Sequence, residues 1–416
     1  MSQPALQSGE LRFCTVKAET TEGTDSSPST SVNTFDLMDG KLSTEFDKIE
    51  RPRDRSFFTG ESFIVSNKRA AIEGMIELIP PVTPGTNASP CEVVLFPAGI
   101  ARTYSSTYGL TSYNPISSSI PTVSAYFYQA GIYCKLIGAR GNISELSLAV
   151  GERFAAKLRL EGVYTSVDET SVPTDGDYSN FLIPSVATYA NSVMRGYQGT
   201  SSTALPVFFW GKSLKVNFGN ELKSKQYTQK RISSIDDRAP TWEAVIARPA
   251  KADFDVYALR DAGTIVRFDM TTIDDDTTTY SRLKIRGQIE QIEPAMVDGK
   301  DFGYKISGPC IASDTGGDEF GIEFGTVSLR LIGDLPDQAA GAYSQSLSLQ
   351  GVYGSAVTYS VFSGSLPGGC SINSATGVVS GTATAGTTTC VIRATTTDVT
   401  GATITANSVS QAITIT

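Results

Sequence analysis

Two clusters of carboxylates are the residues of this chain best suited to chemistry. Asp274, Asp275 and Asp276 form one run, and Asp314 lies close in sequence to Asp318 and Glu319. Clustered carboxylate oxygens are the ligands that hard cations such as Ca²⁺ prefer. The first run lacks the glycine and the distal glutamate of an EF-hand loop, and threonines follow it. We therefore interpret it as a solvated hairpin turn, interpret the second cluster in the same way, and predict no metal site.

The composition removes the commonest catalytic groups. There is no histidine among the 416 residues, so the chain lacks the usual general base at neutral pH and the commonest zinc ligand. The 6 cysteines include no CxxC pair, which indicates neither a zinc cluster nor a redox pair. A glycoside hydrolase can work with two carboxylates alone, but no acidic pair stands out at a predicted strand end. The sequence therefore predicts a protein without enzymatic activity and without a cofactor.

The net charge narrows the class of partner. With 34 basic and 43 acidic residues the formal net charge is −9, which argues against binding of nucleic acid over a basic face. The one local basic run, Arg51-Pro52-Arg53-Asp54-Arg55, is flanked by carboxylates. We interpret it as a source of ion pairs within or between subunits. No apolar run is long enough to predict a membrane span, and the first residues have neither the basic start nor the apolar stretch of an export signal.

The elements that position these groups are organised as a degenerate internal repeat. Arg140-Gly141, with an aliphatic strand that closes near Gly162, is matched by Arg286-Gly287 and a strand that closes near Gly308. Two further pairs recur upstream in the same order: Arg69-Ala70 with Arg238-Ala239, and Ala98-Gly99 with Ala262-Gly263. Because the order is shared, the sequence predicts a duplicated module. We interpret each Arg-Gly pair as structural, a strand bend with its arginine paired to a carboxylate.

Each module is predicted to be mainly strands with one short helix. Ser89-Pro90 is a typical helix start, and residues 252–259 have the apolar spacing of a short amphipathic helix. Residues 155–163 alternate between apolar and charged, as in a half-buried antiparallel strand. We interpret residues 61–79 as two strands with a turn near Asn67-Lys68, and the Ser/Tyr-rich residues 103–121 as a projecting loop.

The composition changes after Gly333. Few charges remain, small and hydroxyl residues dominate, and turn signals recur at short spacing, which is typical of a β-sandwich. The predicted domains are therefore residues 1–175 and 176–333, with one module each, and residues 334–416.

The last segment closely resembles the immunoglobulin-like domains found repeatedly on bacterial and phage surfaces. The resemblance rests on Ala342-Tyr343-Ser344, Val357-Thr358-Tyr359-Ser360, Gly364-Ser365-Leu366-Pro367-Gly368 and Ser380-Gly381-Thr382. Cys370 departs from the family, which usually has an aliphatic residue there. Cys370 and Cys390 both occupy positions expected to face the sandwich core, so a disulfide between them stays open. We favour two buried thiols, the state expected in a reducing cytoplasm.

Residues 1–333 resemble the tail tube protein, or major tail protein, of bacteriophages with long non-contractile tails (siphoviruses). The motifs are Lys135-Leu136-x-Gly138-Ala139-Arg140-Gly141 in the first module and Gln291-Ile292 through Asp298-Gly299 in the second. The C-terminal domain adds weight, because tail tube proteins often carry one. The implied fold class is mainly β: two tandem tail-tube sandwich or barrel modules, each with a short α-helix, followed by an immunoglobulin-like β-sandwich.

The resemblance implies a structural virion protein of the phage tail, assembled in the host cytoplasm. Its copies would form rings, with three chains favoured over six, and the rings would stack into a tube through which genomic DNA is ejected without specific binding. Other implied partners are the tail terminator, tape measure and tail tip proteins. The outward immunoglobulin-like domain would contact host surface glycans weakly, or it only decorates the tail.

Candidate contacts between rings lie in two polar segments. The tyrosines of the loop at residues 103–121, Tyr104, Tyr108 and Tyr113, favour an interface because tyrosine is enriched there. Residues 20–33 form a second candidate, a polar arm. The alternative is that both segments are solvated loops that contact nothing.

A bacterial surface adhesin or surface-layer protein is the competing function. Such proteins are the other common hosts of immunoglobulin-like domains, and the expected lack of an export signal argues against this function.

Overall fold

Strands make up nearly all of the regular structure of this protein. The computed structural model describes residues 11–51, 62–106, 109–181, 184–199, 206–228, 230–274, 279–297, 299, 301–326, 330–332, 335–350, 356–397, 403–408 and 410–416. Neither α-helix in these residues has the length and apolar character needed to cross a membrane.

Residues 12–169 form what we call module 1. Its elements are β1 (Arg12–Ala18), β2 (Thr34–Phe35), β3 (Met38–Glu50), β4 (Phe63–Glu77), α1 (Glu92–Leu95), β5 (Ile100–Ser105), β6 (Leu110–Pro115), β7 (Val123–Gln129), β8 (Ile132–Ala149) and β9 (Ala155–Glu169).

Residues 192–326 form module 2. Its elements are β10 (Ser192–Gln198), β11 (Val207–Phe209), β12 (Gly211–Asn217), β13 (Asn220–Tyr227), β14 (Lys230–Arg238), β15 (Thr241–Ala247), α2 (Val256–Asp261), β16 (Ile265–Ile273), β17 (Thr279–Gln288), β18 (Gln291–Met296), β19 (Phe302–Pro309) and β20 (Phe320–Thr326).

The C-terminal segment is built from short strands alone. They are β21 (Arg330–Ile332), β22 (Gly341–Ser346), β23 (Ser348–Gln350), β24 (Thr358–Gly364), β25 (Cys370–Ile372), β26 (Val378–Ala383), β27 (Gly386–Thr397), β28 (Thr403–Asn407) and β29 (Gln411–Ile415). Two of its sheets, β22-β26-β25 and the sheet of β24, β27, β28 and β29, enclose a core of their own that includes Tyr343, Val379 and Ile392.

The two modules share one strand-pairing pattern. In module 1, β1 pairs with β2 and β7, β3 with β4, β4 with β9, and β8 with β7 and β9. In module 2, β10 pairs with β11 and β16, β12 pairs with β15, and β13 pairs with β14. β15 pairs with β19, β17 pairs with β16 and β20, and β18 pairs with β19. Each long strand of module 1 corresponds to two consecutive shorter strands of module 2. The prediction of two mainly β modules, each with one short helix, is confirmed.

A four-strand unit is repeated edge to edge in the largest sheet. The order β18-β19-β15-β12 in module 2 continues into β8-β9-β4-β3 in module 1, because β12 pairs with β8. The two outermost strands of this double unit are β18 and β3. Among the strand pairings of the described residues, β18 has only β19 as its partner and β3 has only β4.

One hydrophobic core spans both modules. It includes Ile72 and Leu160 from module 1 and Trp242 and Phe268 from module 2, all at most 2% exposed. Burial of this kind stabilises a fold by roughly 25 cal/mol per Å² of apolar surface. The modules are therefore joined by packing as well as by strand pairing.

Most local predictions hold in outline. α1 and α2 overlap the two segments predicted as helical. The predicted start of α1 at Ser89-Pro90 is wrong, because the N-cap is Cys91, whose N–H donates to the Ser89 hydroxyl at 3.2 Å. Residues 155–163 are a strand, with Leu158 and Leu160 buried.

The predicted turn near Asn67 is wrong. β4 continues through this position, where Asn67 adopts a left-handed φ of 43° and the register shifts between Glu45 and Asp47 on β3. A β-bulge therefore absorbs the unusual backbone conformation, and Asn67 tolerates positive φ better than most residues.

Candidate assembly interface

The seam between the modules is a pair of edge strands. β12 pairs with β8 from Ser213 opposite Ala149 to Val216 opposite Leu146. Leu146 and Val216 are at most 1% exposed. On the other face, Lys215 Nζ lies 3.0 Å from a Glu145 carboxylate oxygen, and hydrogen bonds from Lys157 and Lys215 hold the pKa of Glu145 below its ordinary value. The seam thus has one buried apolar face and one ion-paired face, like a strand pair in the interior of a sheet.

A long hairpin of module 2 extends beyond this seam and lies on module 1. This hairpin, β13–β14, contacts β8, β9 and β4. The Arg140 guanidinium donates to the Ser233 carbonyl at 2.7 Å and the Ile120 carbonyl at 2.8 Å. It also pairs with the Glu22 carboxylate at 2.7 Å, which Lys230 of the hairpin contacts at 2.6 Å. Arg140, predicted as structural and paired with a carboxylate, therefore lies at the junction of the modules.

The polar segment at residues 20–33 lies against its own chain. Glu22 contacts Arg140 and Lys230, and the Tyr126 hydroxyl donates to Asp25 at 2.6 Å. A hydrogen bond from Lys230 is the main cause that lowers the pKa of Glu22. These intramolecular partners contradict the alternative that the segment contacts nothing, and its role in contacts between rings stays a prediction.

Arg238 is half-buried and fixes this hairpin to module 1. Its Nε donates to Asn220 Oδ1 at 2.8 Å, and its Nη2 donates to the Ala98 carbonyl at 3.2 Å and the Gly99 carbonyl at 3.1 Å. Burial lowers the pKa of Arg238. Sequence reasoning missed this contact between modules. The matched pairs Arg69-Ala70 and Arg238-Ala239 were the signal that could have found it.

A second seam is formed by the segment predicted as a projecting loop. Residues 103–121 contain most of the β5–β6 hairpin, and β6 pairs with β20 of module 2. Tyr113 is 0% exposed, and its hydroxyl donates to Glu92 at 3.0 Å and accepts from the Ser89 N–H at 2.8 Å. The assignment of Tyr113 to contacts between rings of subunits is therefore wrong, because its side chain is fully enclosed by its own chain. Tyr104 is 39% exposed and stays a candidate, and Tyr108 lies outside the described residues.

The glycines of the repeat signature lie where strands cross closely. A Cβ atom on Gly162 would be 2.9 Å from the Ala139 Cβ, and one on Gly141 would be 3.1 Å from Leu160 Cδ2. In module 2, a Cβ on Gly287 would be 2.4 Å from the Pro309 carbonyl oxygen, and one on Gly308 would be 2.1 Å from the Gln288 carbonyl oxygen. The neighbouring Arg286 donates to the Ile311 carbonyl at 2.5 Å and forms no ion pair among the described residues, so the predicted carboxylate partner is wrong for Arg286. The signature glycines therefore allow close strand crossings in both modules, with backbone oxygens as the nearest neighbours at Gly287 and Gly308.

The acidic clusters have local structural partners. Asp274 begins the turn between β16 and β17, where its carboxylate accepts from the Thr279 hydroxyl at 2.6 Å; Asp275 and Asp276 lie outside the described residues. Asp318 accepts from the Ser313 N–H at 2.7 Å. The described residues contain no group of three or more His, Cys, Asp or Glu side chains placed to hold a metal ion. Of the basic run, Arg51 is described, and Arg53 and Arg55 lie outside the described residues.

Cys370 and Cys390 are both free thiols. Cys390 is buried on β27 and Cys370 is half-buried on β25, and burial raises the pKa of both thiols. We expect unfolding without reductant, in the presence of iodoacetamide, to give an intact mass with all 6 cysteines alkylated. A mass lacking two of these additions, with both residues in one linked peptide, would contradict the two-thiol assignment.

The outer face of the repeated four-strand unit is charged and internally neutralised. Arg159 pairs with Glu73 and, at 3.2 Å, with Glu161, and Lys305 of module 2 pairs with Glu243 at 2.9 Å. Among the ion pairs formed between described residues, none involves Lys41 on the outermost strand β3. Most cations of this face are therefore already paired with carboxylates, and few remain to bind a phosphate.

Comparison with known proteins identifies the C-terminal domain. Residues 326–416 match the family model described as "Putative Ig domain", which confirms an immunoglobulin-like domain at this end of the chain. No curated protein sequence matches the chain. A solved structure of protocadherin gamma B2 extracellular cadherin domains 3–6 shares 10% identity over 90% of this chain and 92% of that chain, with a TM-score of 0.15. A likeness at that score supports no statement about this protein.

Proposed function

We propose that this protein is a structural subunit that joins copies of itself into rings, stacked as the tube of a phage tail. The single observation that carries the proposal is the four-strand unit repeated edge to edge, with β18 and β3 as its outermost strands. A seam of this kind joins one end of a unit to the opposite end of the next, and such head-to-tail contacts generate rings when the rotation closes. The resemblance of residues 1–333 to tail tube proteins supports the same function.

Two modules per chain favour three chains per ring. Each chain would contribute two similar wedges, so that three chains supply six. A closed array also leaves no strand edge exposed, and exposed edges promote uncontrolled association.

Passage of the genome requires a wall that does not retain DNA. Unpaired lysines and arginines would bind phosphates by releasing counterions. The proposal places the ion-paired outer face of the four-strand units toward the lumen, where most cations already contact carboxylates, as Lys157 and Lys215 contact Glu145 at 2.6 and 3.0 Å.

The immunoglobulin-like domain would decorate the tail exterior. Many copies along a tail would allow weak individual contacts with host surface glycans to add up through multivalency. The same domain favours a second candidate function, a bacterial surface adhesin. A purified chain that stays monomeric at every concentration would favour the adhesin.

The oligomeric state of the purified chain tests the proposal. We expect light scattering to give a species of three times 44.3 kDa and electron microscopy to show three-fold rings or tubes. Monomers that stay single at high protein concentration and in tail-stabilising salts would contradict it.

A further inference from the structure

We infer that β3 and the β3–β4 hairpin bind module 2 of a second copy of this chain, as β12 and the β13–β14 hairpin bind module 1 within one chain. The inference deepens the proposed function, on which it rests for the existence of the assembly. It adds the partner surface, the register and the residues in contact.

The β3–β4 hairpin of module 1 is built like the strands of module 2 that bind module 1. β3 and β4 correspond to β12–β13 and β14–β15, and both first strands carry a register shift near their start. Lys41 lies opposite Glu73 in module 1, as Lys215 lies opposite Glu243 in module 2. This shared pair aligns the two hairpins residue by residue at the seam.

The receiving edges also correspond. β8 receives β12 along Leu146 to Ala149, and the equivalent positions of module 2 lie on β18. Glu145 and Glu293 are equivalent, because they lie opposite Lys157 and Lys305, so the same register between copies places Lys41 opposite Ala295. Glu293 then lies diagonally across from Lys41, as Glu145 lies from Lys215, whose Nζ it contacts at 3.0 Å. Lys41 has no ion pair within the described part of its own chain.

Exposure differs between the two edges as this pairing requires. Leu146 and Leu148 on β8 are at most 1% exposed, whereas the equivalent Pro294 is exposed and Met296 is 67% exposed on β18. The Val297 N–H donates to Asp301 at 2.9 Å, so by alternation the ring nitrogen of Pro294 faces the outer edge of β18. The seam between copies would therefore lack one backbone donor that the seam within the chain has.

Apolar side chains lie exposed toward the end of β3 and the start of β4. Phe46 stacks on Phe63 with ring centroids 5.9 Å apart, yet these rings are 46% and 47% exposed, and Ile64 is 48% exposed. On the equivalent strand β14, Ile232 is 7% exposed because it packs on module 1. Exposed apolar patches of this kind mark interaction sites, and the equivalent hairpin indicates what covers this one.

Arg69 completes the correspondence. Its equivalent, Arg238, donates to the carbonyls of Ala98 and Gly99, and the matching pair in module 2 is Ala262-Gly263. A Cβ on Gly99 would lie 1.9 Å from the Arg238 guanidinium, whereas the nearest atom to a Cβ on Gly263 is 3.5 Å away, on Gln288. Within its own chain Arg69 pairs with Glu45 and Asp47, and Gln288 donates to the Gly263 carbonyl, so the contact between copies would exchange these partners.

Disulfide trapping tests the register. In the alternation described for Pro294, residues 41 and 295 form a non-hydrogen-bonded antiparallel pair, with Cα atoms about 4.5 Å apart, within the range that a disulfide spans. We expect the double variant K41C/A295C, oxidised after assembly, to run as covalent dimers and closed trimers on a non-reducing gel. The single variants control for native cysteines, and S43C/A295C, shifted by two residues, controls for the register.

The outcomes separate the interface from the function. Rings or tubes with only monomer bands for K41C/A295C would overturn the proposed pairing and leave the proposed function standing. Monomers by light scattering for the unaltered chain would overturn both. Crosslinking of the shifted control without crosslinking of the test pair would overturn the register and with it the inference.

Charge reversal gives an independent readout without cysteines. We expect Lys41→Glu to reduce the assembled fraction and Glu293→Lys in the same chain to restore it, because the pair is re-formed with exchanged signs. Lys17→Glu, at an exposed lysine of β1 that forms no ion pair among the described residues, serves as the matched control and should assemble normally. Loss of assembly that the second reversal does not restore would count against the contact.

Discussion

Replacement of Arg195 by methionine is expected to lower the free energy of unfolding by about 3–5 kcal/mol, the loss typical when a buried ion pair is broken from one side. The side chains of Arg195 and Asp269 are 3% and 10% exposed, with Nη2 and Oδ1 2.8 Å apart, and Arg195 Nε donates to the same oxygen at 2.9 Å. Methionine fills much of the volume but leaves the Asp269 carboxylate without its closest cation. Urea unfolding followed by tryptophan fluorescence measures the loss.

The double variant Arg195→Met/Asp269→Leu is the control for this pair. Removal of both charges leaves no uncompensated carboxylate, so we expect most of the lost stability to return. Lys251→Ala serves as a surface control, because Lys251 is 87% exposed in its pair with Asp255 and such pairs contribute about 1 kcal/mol or less. A single Arg195 variant as stable as the Lys251 variant would show that the buried pair does not stabilise module 2.

Gly308→Ala is expected to destabilise the chain by about 2–3 kcal/mol, the upper range for overpacking. The added Cβ would lie 2.1 Å from the Gln288 carbonyl oxygen and 3.0 Å from the Glu290 nitrogen. Both are backbone atoms, held where the chain passes from β17 to β18, so a rotamer change cannot relieve the contact.

Gly141→Ala is the matched control for this glycine. Its Cβ would meet Leu160 Cδ2 at 3.1 Å, the end of a side chain that can move by a few tenths of an ångström. We therefore expect a clearly smaller loss, measured in the same urea titrations. Equal losses at Gly141 and Gly308 would refute the close backbone crossing as the reason for glycine in the signature.

The sequence predicts the fold class because its strongest signals are local. Alternation places Leu158 and Leu160 on the buried face of β9, and Asp255 caps α2 by accepting the Ala258 N–H at 3.1 Å. The repeat signature is visible because close backbone contacts demand glycine at Gly287 and Gly308 whatever surrounds them. These requirements act within a few residues or fix one residue type, so they can be found without knowing the tertiary structure.

The candidate interface could not be predicted from local patterns. Tyr113 seemed available because its neighbours are serine and tyrosine, but β20, about two hundred residues later, supplies the partner that encloses it. The same holds for Arg238, whose acceptors Ala98 and Gly99 belong to the other module. Which strands remain outermost depends on every pairing in the sheet, and a single sequence does not specify these pairings.

Pro294 has a consequence for how the assembly would come apart. One absent donor per contact makes the junction between chains weaker than the junction inside a chain, which has Leu146 at the equivalent position. Under mild denaturant, disassembly would then release intact subunits before any subunit opens between its modules. Such subunits could reassemble without refolding, so that polymerisation stays reversible until neighbouring rings lock it.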